Sequence, residues 1–207
     1  MKTRKSAVIF VLALAALTAW AGTTLYVLDT MTPRVEKKPV TGLEVKDGGF
    51  HFRNQAFDLT VIPMNSGSVQ AYYFERKLTN PFEGLRGDEN MVFFRVRIEN
   101  LQKSGKLAFS PKNTMMGNSM PFDEIKVYQL LYRSRDSDQL LASAGKTLFF
   151  RNLLLPAHTW IERILLYQYD DPYPTKNINL IFGSIATDRA SFEVIFPFKA
   201  HFVKEKL

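Results

Sequence analysis

Three methionines within six residues are the most distinctive side chains that could do chemistry. Thr114-Met-Met-Gly-Asn-Ser-Met-Pro121 carries Met115, Met116 and Met120 in an otherwise polar stretch. Thioethers are soft ligands that select Cu(I), and a chain without cysteine has only methionine and histidine to offer such an ion. Copper at Met115, Met116 and Met120 is therefore one expectation. The other is that these methionines act as adaptable apolar plugs against a sheet end or a partner, since no histidine lies nearby in sequence. Two acidic groups, Asp136-Ser-Asp138 and Asp170-Asp171, supply two carboxylates each. Calcium gathers more oxygens than that, and turns favour Asp for its own backbone hydrogen bonds.

Catalytic constellations are missing from the pattern. His51, His158 and His201 are scattered, with no HExxH spacing and no paired carboxylate beside them in sequence. No Gly-x-Ser-x-Gly elbow occurs. Ser143-Ala-Gly-Lys-Thr147 ends like a phosphate-binding loop, but Leu140 stands where the first glycine must let backbone amides wrap a phosphate. The lack of cysteine excludes disulfides, thiolate zinc sites, a cysteine nucleophile and an acylated lipobox anchor. A non-enzymatic protein without a resident cofactor is expected.

Aromatic residues make up 13% of the chain, several in adjacent pairs: Tyr72-Tyr73-Phe74, Phe93-Phe94, Phe149-Phe150 and, one residue apart, Tyr167 and Tyr169. Neighbours along a strand point to opposite faces, so one member of each adjacent pair needs a second surface to cover it. That surface is a protein partner, other parts of the chain, or a groove for an apolar ligand. Tyr72, Tyr73, Phe74, Tyr167 and Tyr169 are the candidate partner surface.

The elements that must position these residues have period two. Met91–Glu99 puts Phe94, Val96 and Ile98 on one face and Arg95, Arg97 and Glu99 on the other, ahead of Asn100 and a Lys-Ser-Gly turn. Ala190–Lys199 alternates Phe192, Val194, Phe196 and Phe198, with Pro197 suggesting an edge or bulge. Further strands are expected at Phe50–Phe52, Phe57–Pro63, Val69–Arg76, Leu107–Phe109, Ile125–Tyr132, Thr147–Phe150, Trp160–Tyr167 and Ile178–Phe182, with no amphipathic helix after Leu28. One antiparallel β-sandwich over residues 40–207 is expected, with a closed barrel as the second choice.

The N-terminus reads as a membrane signal. Ser6–Leu28 is twenty-three residues without a charge behind Lys2, Arg4 and Lys5, long enough to span a bilayer and oriented with its start inside. Ala19-Trp20-Ala21 before Gly22 also fits a signal-peptidase site, so an uncleaved anchor and a cleaved signal peptide both stand. Residues 29–39, with two prolines and four charges from Pro33 to Pro39, read as a stalk. Without Lys2, Arg4 and Lys5 the net charge drops from +7 to +4, too mild and too dispersed for nucleic acid.

Val92–Asn100, Leu153–Leu166 with its Leu-Pro turn, and Phe192–Phe198 together resemble bacterial exported immunoglobulin-like domains of unknown function, over roughly Met91–Lys199. The resemblance implies an immunoglobulin-like sandwich and export, and no catalytic residues. The long aromatic N-terminal part, Phe50–Phe82, departs from it. The combined expectation is a single-pass or secreted module with its main domain outside the cytoplasm, docking on membrane or envelope proteins. The alternative is a carrier of Cu(I) or of an apolar ligand.

Overall fold

The computed structural model describes residues 24–35, 40–84, 90–132, 134, 136–169 and 174–206. Its strands are β1 (Thr24–Pro33), β2 (Leu43–Lys46), β3 (Gly49–Arg53), β4 (Phe57–Met64), β5 (Met91–Asn100), β6 (Lys106–Phe109), β7 (Thr114–Met116), β8 (Leu153–Pro156), β9 (Trp160–Gln168), β10 (Asn177–Ala186) and β11 (Ser191–Lys206). The helices are α1 (Ser66–Glu75), α2 (Glu124–Leu131) and α3 (Ser137–Thr147).

Two antiparallel sheets result. One runs β1-β11-β10-β6-β8, with β7 also paired to β10; the other runs β2-β3-β4-β5-β9. The alternation read from sequence decides their contact: Val92, Phe94, Val96 and Ile98 of β5 are buried, as are Val194, Phe196 and Phe198 of β11. Phe198 meets Phe50 and Phe94, each at 5.2 Å between ring centroids, and Phe182 meets Phe196 edge-on at 5.5 Å. The protein is thus mostly β, in two packed sheets. Pro197 lies just before the part of β11 that pairs with β1, and its carbonyl accepts from Arg34 N at 2.9 Å.

A third layer corrects the all-strand expectation. Val69–Arg76 and Ile125–Tyr132, expected as strands, form α1 and α2, and α3 follows where no element was expected. Each of the first two starts behind a side chain that caps it: Asn65 Oδ1 accepts from Ser68 N and Asp123 Oδ1 from Lys126 N, both at 2.9 Å. Their buried positions, Val69, Tyr72 and Tyr73 in α1 and Val127 and Leu131 in α2, recur three and four apart. In windows this short that spacing is hard to tell from alternation. The helices cover the outer face of the second sheet, where Val69, Tyr73, Phe82, Val127, Leu131, Ile164 and Leu166 make a second core against Phe93 and Met64. Thr147–Phe150 is no strand: Leu148 makes one isolated parallel bridge to Ile164. With Phe149 N on Ile164 O and Phe122 N on Leu166 O, it closes the outer edge of β9.

Buried polar groups tie the layers together. Tyr73 Oη bonds Thr147 Oγ1 at 2.8 Å, joining α1 to α3, and Tyr167 Oη bonds Thr114 Oγ1, joining β9 to β7. Asn100, buried at the end of β5, donates to Leu155 O at 2.9 Å and so stitches the two sheets together. Burial pushes the phenols of Tyr73 and Tyr167 well above their ordinary value. The folded state therefore keeps protons that the unfolded chain loses above about pH 10, and stability that is full below that pH falls as pH rises past it. The expected result is alkaline unfolding with a slope that decreases in Tyr73→Phe and again in Tyr73→Phe/Tyr167→Phe, measured by urea denaturation at pH 8 to 11.

At the N-terminus, β1 pairs antiparallel with β11 from Thr24↔Lys206 to Pro33↔Phe198, and Met31 is buried in the main core. The five residues Thr24–Leu28, expected to prolong the apolar membrane run, and Asp29–Pro33, expected as the start of a stalk, are instead one strand. Their alternation of apolar, aromatic and β-branched side chains suits a pleated surface as well as a membrane window. Residues 1–23, with the expected anchor or signal, and residues 36–39 of the expected stalk lie outside the described residues. Among the described residues no helix is long and apolar enough to cross a membrane.

Candidate functional site

The five aromatic residues expected to form a partner surface are mostly internal. Tyr72 and Tyr73 point from α1 into the second core, and Tyr167 and Tyr169 are buried too. Phe74 alone is open, at 82% exposure. Tyr72 is covered by the Arg76 guanidinium, 3.6 Å above its ring, which is itself held by Glu162 Oε1 at 2.5 Å. Tyr169 packs on Phe202 at 5.3 Å, and its Oη accepts from Thr175 N at 2.9 Å. The second surface that adjacent aromatics require is thus supplied within the chain, by the helical layer.

The three methionines are split by strand alternation. Met116, opposite Leu180, is buried in the core, while Met115, opposite Ile181, faces outward. Met120 is exposed beyond the hairpin closed by Met116 N on Ser119 O at 3.0 Å. While β7 stays paired to β10, the three sulfurs do not converge on one ion. A competition titration against a chromophoric Cu(I) chelator is expected to give the same affinity for the wild type and for Met115→Leu/Met116→Leu/Met120→Leu. A tenfold loss in the variant would restore the copper site.

Among the described residues no group of three or more His, Cys, Asp or Glu side chains could hold a metal. His51 Nε2 lies 2.8 Å from Asp58 Oδ1 across β3 and β4, a pairing invisible in sequence because register, not spacing, creates it. His201 Nε2 lies 3.1 Å from Thr32 Oγ1. Asp170 and Asp171 fall outside the described residues.

Two concavities stand out among the described residues. A cleft of about 760 Å³ lies between the Met116–Met120 hairpin, Asn177 and Asn179 of β10, and Phe122 and Lys126 at the start of α2. A groove of about 650 Å³ runs between Val27, Leu28 and Val203 on one side and Met64, Phe82 and Phe93 on the other.

The surface that sequence reading missed is the outer face of α2. Ile125, Tyr128 and Tyr132 are 66%, 49% and 63% exposed, and the two tyrosine rings lie 5.6 Å apart. Their spacing of three and four makes one stripe, flanking the buried Val127 and Leu131. Apolar side chains thus extend from the buried side of the helix round to its open side, a signal hidden as long as the segment is read as a strand. A second apolar row crosses the outer face of the first sheet, where Ile181 stands opposite both Met115 and Ile195.

No family model matches this chain, and neither a curated protein nor a solved structure matches it.

Proposed function

We propose that the protein is a non-enzymatic extracytoplasmic interaction module, an accessory subunit that docks on other membrane or envelope proteins through its helical layer. The observation that carries this reading is the exposed Ile125-Tyr128-Tyr132 stripe of α2. Tyrosine brings large contact area with few rotors and a polar tip, which is why it concentrates at the energetic centres of interfaces. The stripe stands on a helix fixed from below by Val127 and Leu131, so it is presented without an ordering cost on binding. Phe74 on α1 adds a third exposed aromatic on the same layer. The charged N-terminal residues followed by the apolar run support export and membrane attachment. Two packed antiparallel sheets support a β-sandwich as the body of such a module.

Site-specific photocrosslinking tests the docking face. In the full chain expressed in its own host, Tyr132→p-benzoylphenylalanine is expected to yield one discrete adduct, and the same replacement at exposed Lys103, on the turn after β5, none. No adduct at position 132, or equal adducts at both, would refute the helical docking face.

A further inference from the structure

The register of β1 on β11 fixes which end of the domain adjoins the N-terminal apolar run. Thr24 pairs with Lys206, so the run enters the fold beside the last residues of β11 and not at the opposite end. The described part of β1 starts at Thr24, so at most eighteen uncharged residues, Ser6–Thr23, stand in front of it. Eighteen helical residues cover about 27 Å, within the range that spans a hydrocarbon core and with nothing to spare as a spacer. A domain joined in this way has its β1/β11 tip at the level of the lipid headgroups.

The side chains of that tip suit the place. Val203 is exposed, and Tyr26 and Phe202 are half-buried. The exposed Lys204 holds its Nζ 5.7 Å from the Tyr26 ring centroid. A tyrosine and apolar side chains beside a lysine suit a membrane interface, where the amphipathic ring sits among headgroups and the ammonium meets anionic phosphates. The groove between Val27, Leu28 and Val203 and the Phe82–Phe93 side runs beside the same tip and mixes these apolar side chains with polar ones such as Asp29 and Asn90.

We propose that the β1/β11 tip, centred on Tyr26, Phe202, Val203 and Lys204, is a bilayer-contacting surface that holds the domain upright on the membrane. This rests on the reading of Ser6–Thr23 as an uncleaved anchor. The opposite end carries a natural marker. Leu28 N donates to Asn90 Oδ1 at 3.4 Å beside the start of β5, whereas Trp160 pairs with Glu99 near its end. At about 3.3 Å per residue, Trp160 is roughly 25 Å farther from the bilayer.

The test uses the full chain in phosphatidylcholine–phosphatidylglycerol vesicles whose acyl chains are brominated near the headgroup. With Trp20→Phe, Trp160 is the remaining tryptophan, and its emission is expected to be unchanged by the brominated lipid. With Trp20→Phe/Trp160→Phe/Val203→Trp, emission is expected to be at least halved. A Val203→Trp signal that stays unquenched in chains that float with the vesicles would overturn the tip contact and leave anchoring intact. Chains that do not float and that start at Gly22 would overturn the anchor and the tip contact together.

Discussion

Replacing Phe198 with alanine is expected to lower stability by about 3–5 kcal/mol, the range for truncating a fully buried phenylalanine. The side chain is inaccessible to solvent and touches an aromatic ring of β3, Phe50, and one of β5, Phe94, so its removal opens a gap where the two sheets meet. Neither neighbour collapses into that gap easily, since Phe50 is also packed against Phe196 and Phe94 against Tyr167. For a domain of this size the loss is worth roughly 6–20 °C in Tm. Phe74→Ala, which removes an exposed ring, is the matched control and is expected to cost less than about 0.5 kcal/mol. Thermal melts of both variants decide the matter: equal shifts would mean that Phe198 is not at the centre of the sandwich.

Removing β1 is expected to have a still larger effect. The strand supplies a ladder from Thr24 to Pro33 along β11 and buries Met31 against the main core. A chain starting at Thr24 is expected to melt cooperatively, and one starting at Val40 is expected to show no cooperative transition. A total stability of about 5–15 kcal/mol leaves little to spare for losing this edge strand with its full ladder and the buried Met31. A stalk over residues 29–39 would predict the reverse, with both chains melting alike. The comparison therefore separates the strand from the linker directly.

What sequence made legible follows from where one physical signal dominates. The β5 and β11 patterns are long, one-sided and rich in aromatics, so alternation alone places Phe94, Val96, Ile98, Phe196 and Phe198 correctly in the core. The helices were hidden because α1 and α2 are short and lie between turns, and their aromatic residues favour strands as well. The discriminating signals were the Asn65 and Asp123 caps. Misreading those two segments also misplaced the candidate surface. As strands, Tyr72, Tyr73 and Phe74 would alternate outward; as one helical turn, the first two are buried and Phe74 is not. The same error concealed Ile125, Tyr128 and Tyr132, whose common face exists only at helical spacing. At β1 the ambiguity is different in kind, since an apolar run adjoining a strand of similar composition has no internal mark where one ends and the other begins.

The central claim, that the α2 stripe docks on another protein, is tested most directly by native sizing after gentle detergent extraction of the tagged full chain. The wild type is expected to migrate in a stoichiometric complex well above its own 23.7 kDa. Ile125→Ser/Tyr128→Ser/Tyr132→Ser is expected to lose that complex while keeping the wild-type Tm, because the replaced side chains are exposed. A wild type that migrates alone, or a variant that keeps the complex, would contradict the account.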